Sequence, residues 1–140
     1  MARKRLPPFD VTITGLAAGG VGVGDLDGRP VHVRGAPVGA TVHVCPAGRR
    51  KGILRARRLH MVEAAANAVA PECGIFGLCG GCTLQEMPLD AQRREKELLA
   101  HRQIGELDDV KVHPVEGGHE AYHYRNKVEL SFGTKRFLSD

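Results

Sequence analysis

Between Phe9 and Leu59 the chain is written in short runs that alternate apolar with polar residues, separated by glycines. In Phe9-Asp10-Val11-Thr12-Ile13-Thr14 every second side chain is apolar. That period of two suits an extended strand with one buried and one wet face, and no helix. Val31-His32-Val33-Arg34 and Thr41-Val42-His43-Val44 repeat it, with Asp27-Gly28 and Gly39 where the chain must turn. Gly52 to Leu59 reads as a last, less regular strand. Five short strands in about fifty residues predict a small closed β-barrel, because closure removes the exposed edges of an open sheet.

The rest of the 140 residues is organised differently. Met61 to Ala70 is an alanine-rich connector, ended by Pro71, and a cysteine segment follows. From Leu89 to Ile104 the chain is charged and rich in helix formers, with Leu98, Leu99 and Ile104 as a partial apolar stripe, so a surface helix is expected. Tyr124 to Phe132 alternates again and reads as a strand that opens a further, incomplete α+β domain. The expected fold class is mainly β with one helix. Its divisions are a flexible basic arm over residues 1–8, a barrel over 9–60, a connector, cysteine segment and helix over 61–105, and the start of a truncated domain over 106–140.

No run approaches the ~18 apolar residues of a membrane span. The basic start, Met1-Ala2-Arg3-Lys4-Arg5, lacks the apolar segment that a signal peptide requires after it. A cytoplasmic protein with no membrane partner is expected, and nothing in the sequence points to an oligomer. Thiols stay reduced in that compartment, so four cysteines point to metal binding before disulfides.

Three of the four fall together as Cys73-Gly-Ile-Phe-Gly-Leu-Cys79-Gly-Gly-Cys82. Soft thiolates this close can face one metal centre, and glycine lets the backbone curl around it. Either an iron–sulfur cluster or zinc satisfies the pattern. His60, His101 or His113 would complete a Cys3His zinc site. Cys45, far away on a strand and without a neighbouring base, reads as an ordinary strand residue.

Cations are concentrated rather than spread. Arg49, Arg50, Lys51, Arg55, Arg57 and Arg58 place six within ten residues. A strand puts Arg55 and Arg57 on one face while the hairpin lifts Arg49 to Lys51 beside them. Such a ridge suits a phosphate backbone. Arg125 and Lys127 share a face of the last strand and would extend it. Gly19 to Gly24 fails as a nucleotide loop, because a strand follows it rather than a helix, and reads as glycine for barrel turns. Tyr122 and Tyr124 have rings able to stack on exposed bases.

Taken in order, the glycine-rich strands, Cys73 to Cys82 with Gly80-Gly81, and Tyr124-Arg125-Asn126-Lys127-Val128-Glu129-Leu130-Ser131-Phe132-Gly133 resemble a known family. They look like the N-terminal part of the bacterial ribosomal RNA (uracil-5-)methyltransferases that carry a TRAM domain and a four-iron cluster. The resemblance implies an OB-like, five-stranded TRAM barrel that binds RNA. It also implies that Cys73, Cys79 and Cys82 ligate a [4Fe–4S] cluster and that Tyr124 onward opens a central RNA-binding domain. The family's fourth cluster cysteine follows that Tyr-Arg-Asn-Lys segment, where this chain has none. S-adenosylmethionine, the cysteine nucleophile and the acidic base belong to a further catalytic domain of the family, so these 140 residues alone are not expected to be active and supply no catalytic residue. One departure is Pro37-Val38-Gly39-Ala40, where the family has Leu-Pro-Gly-Glu. A rival from another class is a stand-alone RNA-binding adaptor with a structural zinc site.

Overall fold

In the computed structural model, residues 6–78, 81–104, 107, 109–117, 120 and 122–123 are described. Five strands, β1 (Phe9–Ala17), β2 (Val21–Leu26), β3 (Arg29–Arg34), β4 (Thr41–Arg50) and β5 (Ile53–Glu63), precede one helix, α1 (Leu89–Ile104). The strands close into a barrel in the order β1-β2-β3-β5-β4, as the alternation requires. Four of the junctions are antiparallel and one, β3 with β5, is parallel. This is the small OB-like barrel expected.

The inward positions are short and branched. Val11, Ile13, Val31, Val33, Val42, Val44, Leu54 and Ala56 are buried in one cluster. At β2 the inward positions are Gly22 and Gly24, both buried. A Cβ on Gly24 would lie 2.5 Å from the Thr12 carbonyl oxygen, and one on Gly22 would lie 2.6 Å from that of Ala36. Only Gly19 and Gly20, with φ of 78° and 70°, make the β1–β2 turn. The reading of Gly19 to Gly24 as turn glycine therefore holds for its first half alone. The second half is a strand whose missing side chains let β2 press against its neighbours.

Turn chemistry follows the sequence closely. Asp27 and Gly28 both have positive φ, 53° and 75°, as a two-residue turn matching strand twist requires. Asp25 Oδ1 accepts a 2.7 Å hydrogen bond from Gly28 N–H. Segment 35–40 closes one end of the barrel. Ile13 N–H donates to the Ala40 carbonyl at 2.9 Å and Gly39 N–H to the Ile13 carbonyl at 2.8 Å, with Gly39 at φ 87°. The departure from Leu-Pro-Gly-Glu leaves this closure intact, because the glycine it depends on is kept.

Strand β5 runs four residues past the last alternating residue, Leu59, to Glu63, since pairing with β4 continues through Val42↔Met61 and Thr41↔Glu63. Helix α1 begins and ends where its composition predicts. Asp90 in its first turn is paired with Arg94 at 2.7 Å, and that hydrogen bond lowers the Asp90 pKa. The expected stripe is only partly used. Leu99 faces β1 whereas Leu98 and Ile104 are exposed; Ala91 is buried, and Arg102 reaches β1. Arg102 donates to the Leu16 carbonyl at 2.9 Å, beside the irregular register between Ile13 and Gly15. Among the described residues no helix is long and apolar enough to cross a membrane.

Candidate nucleic-acid interface

Strands β4 and β5 extend into a hairpin whose two-residue tip is Lys51-Gly52, between paired Arg50 and Ile53. Both tip residues have positive φ, 50° and 81°. Glycine reaches that region freely, but a lysine held there costs about 1 kcal/mol. From the tip β5 returns alongside β3 in the parallel register Val31↔Leu54, His32↔Arg55, Val33↔Ala56 and Arg34↔Arg57. Val31, Val33, Leu54 and Ala56 are buried, so His32, Arg34, Arg55 and Arg57 share the outer face.

The tip and this face enclose an open groove of about 430 Å³ lined by Gly19, Val21, His32, Arg34, Arg50, Lys51, Ile53 and Arg55. Four of those eight residues are cations and none is a carboxylate, so among the described residues the lining carries one sign of charge. Arg34 and Arg57 stand opposite one another across the β3–β5 ladder.

Of the cations singled out in the sequence, Arg50, Lys51 and Arg55 line the groove, and Arg57 is exposed beside it. Arg49 is exposed on β4 and outside the lining. Arg125, Lys127 and Tyr124 lie outside the described residues. Two groove residues, His32 and Arg34, were not picked out. Their outward position was readable from Val31-His32-Val33-Arg34, but their closeness to Arg55 depends on the parallel β3–β5 pairing, which adjacent strands do not announce.

Arg58 has a different setting. Its guanidinium donates to Glu86 at 2.7 Å, with the two side chains only 22% and 18% exposed. The Glu86 carbonyl also accepts from Val69 N–H at 3.1 Å. Arg58 thus ties the barrel to the segment that follows the cysteines. Arg58→Ala is expected to cost roughly 1–3 kcal/mol by leaving a half-buried carboxylate unpaired, read as a lower midpoint in thermal unfolding.

The cysteine segment packs against the barrel. Thr83 and Leu84 abut Gly20 in the β1–β2 turn, where a Cβ would meet Thr83 Oγ1 at 2.7 Å. Met87 is buried, and Gln92 Nε2 donates to the Leu84 and Met87 carbonyls at 3.0 and 2.9 Å. Cys73 and Cys82 are exposed free thiols, and Cys79 lies outside the described residues. Between the first two, Gly77 adopts φ 82° and Phe76 N–H donates to the Cys73 carbonyl at 3.0 Å. Gln85 Oε1 accepts from Cys73 N–H and from the Tyr122 hydroxyl, both at 3.4 Å. The Tyr122 hydroxyl is thus directed at the cysteine loop. Among the described residues no three potential ligands cluster, and only two of the three cysteines are among them. His60 stacks on His43 with ring centroids 4.9 Å apart, on the barrel surface. Cys45 is half-buried on β4.

No protein-family model matches the chain. Individual proteins do. It is 34% identical over 135 residues to a 23S rRNA (uracil(1939)-C(5))-methyltransferase RlmD of Alkalilimnicola ehrlichii, covering 92% of this chain and 30% of that protein. To the protein of the same name in Halomonas elongata it is 39% identical over 125 residues, covering 85% of this chain and 26% of the relative. An uncharacterized RNA methyltransferase of Clostridium tetani is 34% identical over 136 residues, with 95% and 29% covered. The chain spans about three tenths of the length of the relatives it matches. By sequence, then, the chain is similar to about three tenths of the length of bacterial RNA methyltransferases, among them proteins named as 23S rRNA (uracil-C5) enzymes.

Proposed function

We propose that this chain is the RNA-gripping and cluster-bearing portion of an S-adenosylmethionine-dependent RNA (uracil-5-)methyltransferase acting on ribosomal RNA. The observation that carries the reading is the cationic groove between the hairpin tip and the β3–β5 face, on a chain whose relatives are named for 23S rRNA. A groove presenting Arg34, Arg50, Lys51 and Arg55 with no carboxylate among the described lining residues suits a polyanion. The TRAM barrel of the resemblance supplies the same role.

The cysteine loop fits a thiolate-bound centre. Cys73 and Cys82 present unbridged, exposed thiols on a glycine-containing turn, and these with Cys79 are the residues that would hold a [4Fe–4S] cluster. Such a cluster would supply soft, multivalent cross-linking of the loop. Within the chain itself, Gln85 accepts from the Cys73 N–H, Tyr122 accepts from the neighbouring Glu72 N–H, and the Arg58–Glu86 pair holds the loop's far side to the barrel. Methyl transfer would belong to the remainder of a longer enzyme.

Fluorescence anisotropy with a labelled ribosomal RNA oligonucleotide tests the reading. The combined variant Arg50→Ala, Lys51→Ala, Arg55→Ala should bind at least roughly tenfold more weakly. It should also flatten the slope of log affinity against log salt by about 2, since each lost contact to a single strand removes about 0.7. Equal titration curves for variant and parent would remove the groove from the RNA-binding role.

A further inference from the structure

We infer that the groove seats the phosphodiester backbone of RNA and reads no bases, so that its grip is the same for every sequence. This rests on the RNA-binding reading and specifies what part of the polymer the groove holds. The inference comes from what lines the groove and from what is missing there. Arg34, Arg50, Lys51 and Arg55 supply donors to anionic oxygen. Among the described residues, amide, hydroxyl and carboxylate side chains, which discriminate base edges by mixed donor and acceptor patterns, are absent from the lining.

Stacking surface is equally scarce. Grooves that hold single strands by their bases place aromatic faces along the path. Among the described residues the only ring in the lining is His32, half-buried and flanked in the ladders by Val23 and Arg55. The other lining residues, Gly19, Val21 and Ile53, form a small apolar floor. Charge supplied from three directions, by β3, by β5 and by the strained Lys51 tip, surrounds a polymer's charged edge rather than one flat base. Arg34 thereby becomes a phosphate-binding residue, although it lies outside the arginine-rich run.

Titration of the full chain with equal-length oligonucleotides of uridine, of adenosine, of mixed sequence containing guanosine, and of abasic ribose phosphate separates the outcomes. All four are expected to bind within about threefold of one another, with matching salt slopes. Arg34→Ala should weaken all four alike and lower each slope by about 0.7, and His32→Ala should leave the ratio of uridine to abasic binding unchanged. Loss of more than about tenfold for the abasic strand, or a guanosine preference removed by Arg34→Ala, would overturn the inference and leave RNA binding standing. Absence of binding to all four would overturn the RNA-binding reading itself.

Discussion

Gly24→Ala is expected to lower the thermal midpoint of the barrel by on the order of 10–20 °C. Gly24 points inward on β2, and its new methyl group would meet the Thr12 carbonyl oxygen and Val11 Cγ2, each at 2.5 Å. Neither is the yielding end of a flexible side chain, because the carbonyl belongs to β1 and Val11 is buried in the core. Relief requires β1 and β2 to part along a paired edge, where Ile13 faces Gly24. Overpacking of this kind costs about 1–3 kcal/mol, and here the upper end applies. For a unit of this size each kcal/mol lowers the midpoint by roughly 4–8 °C. Gly74→Ala is the matched control, since its Cβ has no neighbour within 4 Å and its φ is ordinary. Circular dichroism melts of the two variants decide the matter. A Gly24→Ala midpoint equal to that of the parent would mean that the two strands do not press together as described.

Cys73→Ser is expected to bring bound metal close to zero while the barrel stays folded. Serine keeps the size of the side chain but removes the soft thiolate on which a cluster or zinc depends. The barrel should not notice the change. Its core is a Val, Ile, Leu and Ala cluster without a thiol, and Cys73 is exposed on the loop beyond it. Anaerobic purification followed by iron, sulfide and zinc analysis of parent and variant provides the readout. About four irons with sulfide in the parent, lost in the variant, is the expected pair. Stoichiometric zinc would favour the RNA-binding adaptor. Equal metal in both proteins would remove Cys73 from the ligand set.

Some of this was legible in the chain and some was not, for physical reasons. Alternation announces strands because a half-buried strand must bury every second residue, and Asp27-Gly28 announces a turn because two consecutive positive φ angles favour those residues. Strand β2 was harder to see. Val21-Gly22-Val23-Gly24 carries its inward period on glycines, which look like turn residues until the close approach of Thr12 and Ala36 shows why no side chain fits. The basic run showed that cations were concentrated but not which of them act together. Arg58 lies one residue beyond Arg57 in sequence yet faces Glu86, 28 residues on, whereas Arg34 lies 21 residues before Arg55 and shares a groove with it. Both facts depend on long-range pairing, which local composition does not encode.

Amide chemical-shift mapping tests the proposed seat of RNA in the groove between the hairpin tip and the β3–β5 face. In a titration of the isotopically labelled 15.1 kDa chain with an RNA oligonucleotide, the backbone amides of His32, Arg34, Lys51 and Arg55 should shift together and saturate at one stoichiometry. Amides on the β1–β4 side, around Thr12 and Thr41 with their 2.9 Å hydroxyl contact and around His43 with its Asp10 partner, should stay in place. Shifts centred on that second side, with the groove amides unmoved, would contradict this placement.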